Sequence, residues 1–367
     1  MKKHTILAIA LASVPLALSA STPLWMRDIK ISPDGNTIAF TYKGDIWTVP
    51  AAGGKATRIT TADSYETSPV WSPDGKKIAF SSDRHGSMDI FVTDVNGGNT
   101  QRLTSNSATE VPETFTPDGK NIVFSAAIQA PASSAVFPTS RMTQLYTVPV
   151  AGGVSTQIMA TPAQMLSYTG DNGSFLYQDL KGFEDEWRKH HTSSVTRDIW
   201  LYDAKKKTHT NLTNRPGEDR NPVVAGDKFY FLSERTPDKS INVYEASIAN
   251  PADARKLTSF KTHPVRFLTR GANGVLCFGY DGEIYTMTPG QSPKKVAVDI
   301  VADYDEPVDK LSLRSASSAI PSPDGKSVAF ISRGDVFVTS VEYTTTKQIT
   351  NTPEAESMVS WLSLIHI

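Results

Sequence analysis

Side chains able to do chemistry are few and scattered along this chain. Seven histidines are spread over 367 residues, at positions 4, 85, 190, 191, 209, 263 and 366, with a single cysteine, Cys277. The nearest approach to a metal-ligand pattern is "EDEWRKHH", residues 184 to 191. There Glu186 and His190 stand four residues apart and could share a cation on one helix face, with His191 next to them. The competing reading is an exposed charged insertion that packs Phe183 and Trp187 onto the body of the protein, and it is the one the composition favours. "SDRHGS", residues 82 to 87, reads as a polar loop on a rigid scaffold, where binding residues often gather. His85, Glu186, His190 and His191 are therefore the candidate ligand or partner contacts, and no residue is assigned a catalytic, cofactor or metal role.

The motifs of the main hydrolytic chemistries do not occur. A strand-to-helix nucleophile elbow would read G-x-S-x-G, a zinc peptidase H-E-x-x-H, and a phosphate loop G-x-x-x-x-G-K-[ST]; none is found. Nothing in the chain assembles a nucleophile, a base and an oxyanion donor, and no cofactor is expected. A formal net charge of -1 offers no attraction to a polyanion, and the lone basic run Lys205, Lys206, Lys207 suits a solvated hairpin tip, so nucleic acid is excluded as a partner.

Residues 1–20, "MKKHTILAIALASVPLALSA", carry two lysines, an apolar stretch and small residues before Ser21. That is the pattern of a cleaved signal peptide, too short and too interrupted by Pro15 for a stable membrane span. The expected location is periplasmic or secreted. With Cys277 alone, no intramolecular disulfide can form, and in "GVLCFGY" the cysteine reads as a small buried strand residue.

The elements that would position any site are announced by repetition. "ISPDGNTIAF" begins at Ile31, and close copies begin at Trp71, Phe115 and Pro321. Proline, aspartate and glycine in a row between apolar stretches make a β-turn, so each copy reads as a hairpin. A second marker follows, a polar residue, an aliphatic and an aromatic: "DIW" at Asp45, "DIF" at Asp89, "QLY" at Gln144, "DIW" at Asp198, "NVY" at Asn242, "EIY" at Glu283 and "DVF" at Asp335. A closing strand keeps pace, from "RIT" at Arg58 to "QIT" at Gln348. Four short strands per unit, joined by hairpins, describe a β-propeller blade, with the aromatic packing between blades. The only helix-like interruption is residues 180 to 195.

The expected architecture is all-β: a six-bladed β-propeller over residues 21–300, a linker at 301–315, and the first blade of a second, truncated propeller at 316–361. A single seven-bladed ring is the alternative. "NTPEAESMVSW" parallels "TADSYETSPVW", so Trp361 corresponds to Trp71 and an eighth repeat is beginning. Residues 362–367 depart from the pattern and read as a non-native tail.

"SPDG", "IAF" and "DIW" resemble the TolB-type propeller repeat, which specifies only a fold. Together with the signal peptide and the insertion "KGFEDEWRKHHTSSVTRDIW", residues 181 to 200, the chain resembles the N-terminal portion of bacterial tricorn-like serine peptidases. The resemblance implies a propeller that gates passage of unfolded peptides or peptide products, with catalytic domains lying outside this chain and self-association through the propeller left open. It implies no catalytic residue here. The alternative is a non-catalytic, TolB-like periplasmic propeller that binds a protein partner.

Overall fold

The computed structural model describes residues 23–128, 141–170, 173–185, 188–301, 315–343, 345–350, 352 and 354–362. The segment read as a signal peptide, most of the expected linker, Glu186 and Trp187 lie outside the described residues. All regular structure among the described residues is β: seven four-stranded antiparallel sheets and one short parallel pair. The insertion at 180 to 195 was expected to be helix-like; its described residues form bends and turns instead. The chain divides into two compact units between Asp303 and Tyr304.

Six sheets belong to the first unit. Their innermost strands are Arg27–Ile31, Glu66–Trp71, Glu110–Phe115, Ala163–Tyr168, Asp219–Ala225 and Arg266–Arg270. In each sheet the chain then runs outward through three further strands in sequence order. The repeated turn joins the first two strands by a fixed set of bonds. In the second sheet Ser72 Oγ donates to Asp74 at 2.6 Å, the Lys76 amide donates to Asp74 at 3.1 Å, and the Lys77 amide donates to Ser72 Oγ at 2.9 Å. Gly75 takes the φ of +70° that an L-residue avoids. Thr116 with Asp118 and Ser322 with Asp324 repeat the hydroxyl–carboxylate bond at 2.6 Å. These hydrogen bonds hold the Asp74, Asp118 and Asp324 carboxyls below their ordinary range. The "SPDG" element is thus a corner whose hydroxyl and carboxylate bond within the turn itself.

The second and third markers pair with each other. Trp47 stands opposite Arg58 across the two outer strands of the first sheet, and Phe91 opposite Arg102 in the second. This brings the polar residue before each aromatic against the residue that opens the closing strand. Arg58 bonds Asp45 at 2.8 Å, Arg102 bonds Asp89 at 2.7 Å, Gln157 bonds Gln144 at 2.8 Å, and Lys295 bonds Glu283 at 2.9 Å. The threonine two residues later caps the amide after the polar residue: Thr60 on Ile46, Thr104 on Ile90, Thr213 on Ile199 and Thr258 on Val243, all between 2.8 and 3.0 Å. The co-occurrence of D with R, Q with Q and E with K in the sequence is therefore one contact repeated.

Strand alternation sends the aliphatic and the aromatic of each marker to opposite faces. Ile46 and Phe91 meet in one cluster between the first and second sheets, and Ile90 and Tyr146 meet between the second and third. Ile199 packs with Tyr244 between the fourth and fifth, and Val243 with Tyr285 between the fifth and sixth. The series is cyclic, because the first innermost strand also packs on the sixth sheet. There the Met26 amide donates to Gly282 O at 3.0 Å, Ala272 to Pro33 O at 2.7 Å, and Ile31 to Thr269 Oγ1 at 3.1 Å. A Cβ on Gly279 would come 3.0 Å from Ile29 Cδ1, so this glycine lets the first sheet close on the sixth. Farther out, Val298–Asp299 pairs in parallel with Gly54–Lys55, which lies between the third and fourth strands of the first sheet in sequence and forms a separate pair.

The second unit holds one sheet, Ser317–Pro321, Ser327–Ser332, Asp335–Ser340 and Thr346–Gln348. It repeats the turn bond of Ser322 to Asp324 and the threonine cap, Thr350 Oγ1 accepting from the Val336 amide at 2.8 Å. Trp361 Nε1 donates to Ile320 O at 2.9 Å, as Trp71 Nε1 donates to Lys30 O at 2.9 Å. Its innermost strand is exposed throughout, and Ile349 and Met358 are exposed as well. A sheet with uncovered apolar faces opens more readily than one packed on both sides. Amide hydrogen exchange is expected to be much faster over 317–348 than over strands such as Asn121–Ala126; equal protection would contradict this.

Candidate functional site

The innermost strands are not regular. Each breaks register with its neighbour, for example between Arg27 and Lys30, Gln164 and Ser167, or Arg220 and Val223. Five of the breaks place a non-glycine residue in the left-handed region, at Asp28, Ser68, Met165, Asn221 and Phe267, with φ between 51° and 57°. Such bulges bend a strand and leave backbone groups for another partner. Here the neighbouring sheet supplies it. The Met165 amide donates to Glu113 Oε2 at 2.9 Å, the Val224 amide to Ser167 Oγ at 3.0 Å, and the Leu268 amide to Asn221 Oδ1 at 2.9 Å, while Asn221 Nδ2 returns a bond to Leu268 O at 3.0 Å.

These six strands surround a cavity of about 400 Å³. Its lining includes Lys30, Glu113, Met165, Asn221 and Arg270, and Pro33 and Pro73 place its mouth among the repeated turns. Burial pushes the Lys30 ammonium below its ordinary range, with the Glu113 and Asp28 carboxylates acting the other way. Burial likewise pushes the Glu113 carboxyl up. This cavity is the candidate site.

The candidate residues read from the sequence lie elsewhere and apart. His85 is exposed in the loop of the second sheet, its ring stacked on Phe91 with 6.1 Å between centroids. Glu186 lies outside the described residues. His190 is exposed, with Nδ1 3.3 Å from Asp238 O and Nε2 3.2 Å from Thr262 O, so its ring clamps the insertion against loops of the fifth and sixth sheets. His191 turns back, with Nδ1 2.9 Å from Lys189 O. Among the described residues no three His, Cys, Asp or Glu side chains converge as a metal set.

The insertion is not anchored as expected. Phe183 is 69% exposed, with Arg141 over its ring rather than the body of the protein beneath it, and Trp187 lies outside the described residues. The anchor is Arg188, whose side chain is 3% exposed and reaches Glu234 at 2.7 Å and Glu218 at 3.3 Å, as well as Glu184 and the His191 carbonyl. Arg197 adds a bond to Glu218 at 2.9 Å. An arginine can satisfy several carboxylates with its fork of donors, which an aromatic anchor could not do. The channel residues Lys30 and Glu113 escaped sequence reading because they sit inside strands; the one available signal is a charge at a position other repeats fill with Val70 or Ile320, and Pro69 or Ala319.

Comparison with known proteins places the chain. The model of the tricorn protease N-terminal beta propeller domain matches residues 24–293. The tricorn protease of Thermoplasma acidophilum is 26% identical over 328 residues, covering 88% of this chain and 30% of that protein. Tricorn protease homolog 1 of Streptomyces coelicolor is 26% identical over 271 residues, covering 72% and 24%. A crystal structure of the tricorn protease superposes with a TM-score of 0.63 at 24% identity, over 90% of this chain and 32% of that one. The chain thus spans less than a third of the length of these relatives.

Two predictions follow from the charged groups. Replacing Arg188 by Met leaves buried Glu184 and Glu234 without their cation, and Glu218 with Arg197 but not Arg188, and is expected to cost about 3–5 kcal/mol in urea unfolding, whereas Phe183→Ser should stay within about 0.5 kcal/mol; the reverse order would mean that the aromatic is the anchor. At the start of the third sheet, burial pushes Glu110, which accepts from Thr104 and neighbours Asp89 of the second sheet, up to about 7 from 4.5. Between those values the folded state holds more protons than the unfolded, so this group's contribution to stability falls as pH rises to about 7 and is level above. Glu110→Gln should flatten that slope and stabilise the protein at pH 8 by up to about 3 kcal/mol; an unchanged pH profile would contradict it. On its sequence and its sheets, the chain belongs to the tricorn protease N-terminal β-propeller family.

Proposed function

We propose that this chain is the propeller region of an exported tricorn-like serine peptidase, in which residues 21–300 form a closed six-bladed ring and residues 316–361 open a second one. The reading rests above all on the family match over residues 24–293. Cyclic packing of the first sheet on both the second and the sixth supports the blade count. The catalytic domains lie outside this chain, and residues 1–20 direct the protein to the periplasm or the exterior.

The axial opening gates unfolded peptides or released products. An opening lined by inner-strand side chains and bounded by six packed sheets selects by width, because a folded domain cannot enter a cavity of about 400 Å³. The partners are therefore extended peptides, which present backbone and termini rather than a folded surface.

Two measurements test this. The purified chain should turn over no fluorogenic peptide, and turnover sensitive to serine-directed inhibitors would contradict the reading. In the intact peptidase, Thr114→Trp, which fills the axial cavity, should slow peptide turnover several-fold with the active site unaltered. Unchanged turnover would favour a propeller that binds a protein partner without gating.

A further inference from the structure

The repeats within this chain act as an internal control on what the fold requires. Counting back from the hydroxyl residue of each turn, Lys30 stands two before Ser32, where other repeats have Val70 before Ser72, Thr114 before Thr116 and Ile320 before Ser322. Glu113 stands three before Thr116, where others have Ile29, Pro69 and Ala319. The turn and the bulge therefore form without a charge at either position. Yet Lys30 and Glu113 both line the axial cavity, one from the first sheet and one from the third.

Lys30 and Glu113 attract each other across the cavity, but no ion pair joins them among the described residues. No ion pair or hydrogen bond engages the Lys30 ammonium among the described residues, although it is drawn into the lining far enough for burial to lower its pKa. Arg270 from the sixth sheet lines the same cavity, and its Nε is buried with no hydrogen-bond partner among the described residues. Glu113 is 7% exposed and is fixed by the Met165 amide at 2.9 Å. Charged groups withdrawn from water without a salt bridge in direct contact cost free energy that a ligand of complementary charge recovers. The cavity is of a size with small-molecule sites, which run from roughly 300 to 1,000 Å³.

We infer that the axial cavity is a binding site for a short peptide with both termini free, its carboxylate held by Lys30 with Arg270 and its ammonium by Glu113. This rests on the reading that the ring passes peptides, and it adds a resting place with a polarity. Termini are what distinguish a released product from the interior of a long chain. A site that grips them holds products and lets uncleaved segments slide by.

The test uses this chain alone, so it is independent of turnover by the intact peptidase. Alanyl-alanine, its C-terminal amide and its N-acetyl derivative are titrated by calorimetry into the native chain and into Lys30→Val, Lys30→Arg and Glu113→Gln. Lys30→Val copies the residue of the second repeat, and Glu113→Gln keeps the acceptor for the Met165 amide, so both should fold. The native chain is expected to bind the free dipeptide at least ten-fold more tightly than either blocked form. Lys30→Val should abolish the preference over the amide while keeping that over the acetylated form, Glu113→Gln should do the reverse, and Lys30→Arg should behave as native. Equal affinity for free and blocked dipeptides, no binding at millimolar concentration, or a Lys30→Val chain that still discriminates would overturn the site. Any of those results would leave gating to be decided by the turnover of the Thr114→Trp peptidase.

Discussion

Everything in the first unit depends on the two-sidedness of its sheets. Each outer pair of strands points an aliphatic one way and an aromatic the other, as Ile90 and Phe91 do, so a sheet alone leaves two apolar faces in water. Burial of such faces is the main favourable term in folding, and a stack of sheets leaves two ends uncovered. Only a stack that returns to its start covers them all, which is why the junction of the sixth sheet with the first is dense in specific bonds such as Ala272 to Pro33 and Ile31 to Thr269. The seventh sheet, described by itself, has the same strands and the same turn but an innermost strand exposed from Ser317 to Pro321. Identical local chemistry thus gives a different degree of burial, because burial here is a property of neighbours.

Cyclic packing brings six innermost strands close together, and their bulges answer that crowding. A regular strand would aim its bonds only within its own sheet. Breaking register at Met165 or Asn221 frees an amide or a side chain to reach the next sheet, and Glu113, Ser167 and Asn221 each stitch one sheet to its successor. The strain of a left-handed residue is met by bonds that exist only when the neighbour is present. Side chains on these strands are consequently held on a stiff frame, which is the condition for a site that discriminates by charge and spacing.

How much of this could be read from the sequence depends on whether a feature repeats. The turn, the marker "DIW" and the closing threonine recur, so their strands and hairpins were legible, and so was the pairing of blades through aromatics. The partnership of Asp45 with Arg58 is also written in the sequence, as a pair that recurs as Asp89–Arg102, Gln144–Gln157 and Glu283–Lys295, four of the seven repeats in all, but it becomes visible only once the two strands are known to lie side by side. Features that occur once gave no such footing. The insertion's long charged run suggested a helix with an aromatic anchor, because Phe183 and Trp187 were its obvious apolar residues. Its fixed point is instead Arg188, and the carboxylates that hold it, Glu218 and Glu234, lie 30 and 46 positions away. No local pattern announces a salt bridge between residues so far apart.

The distribution of loops completes the argument about where chemistry can sit. Strand direction alternates, so the turns after the first and third strands emerge on one face, and the turns after the second strand, with the links to the next sheet, on the other. On the first face the Ser–Asp–Gly corner fixes its own length, since adding a residue would break both the hydroxyl bond and the amide bond to the aspartate. Among the described residues, the loops at His85, at Arg188 and at Asp238 lie on the second face. The axial cavity opens among the fixed corners, at Pro33 and Pro73. Its selectivity cannot be supplied by loops of variable length and must come from single side chains on the inner strands. That is why a lysine in place of a valine, at a position where the fold is indifferent, carries more functional meaning than the long charged insertion that first draws the eye.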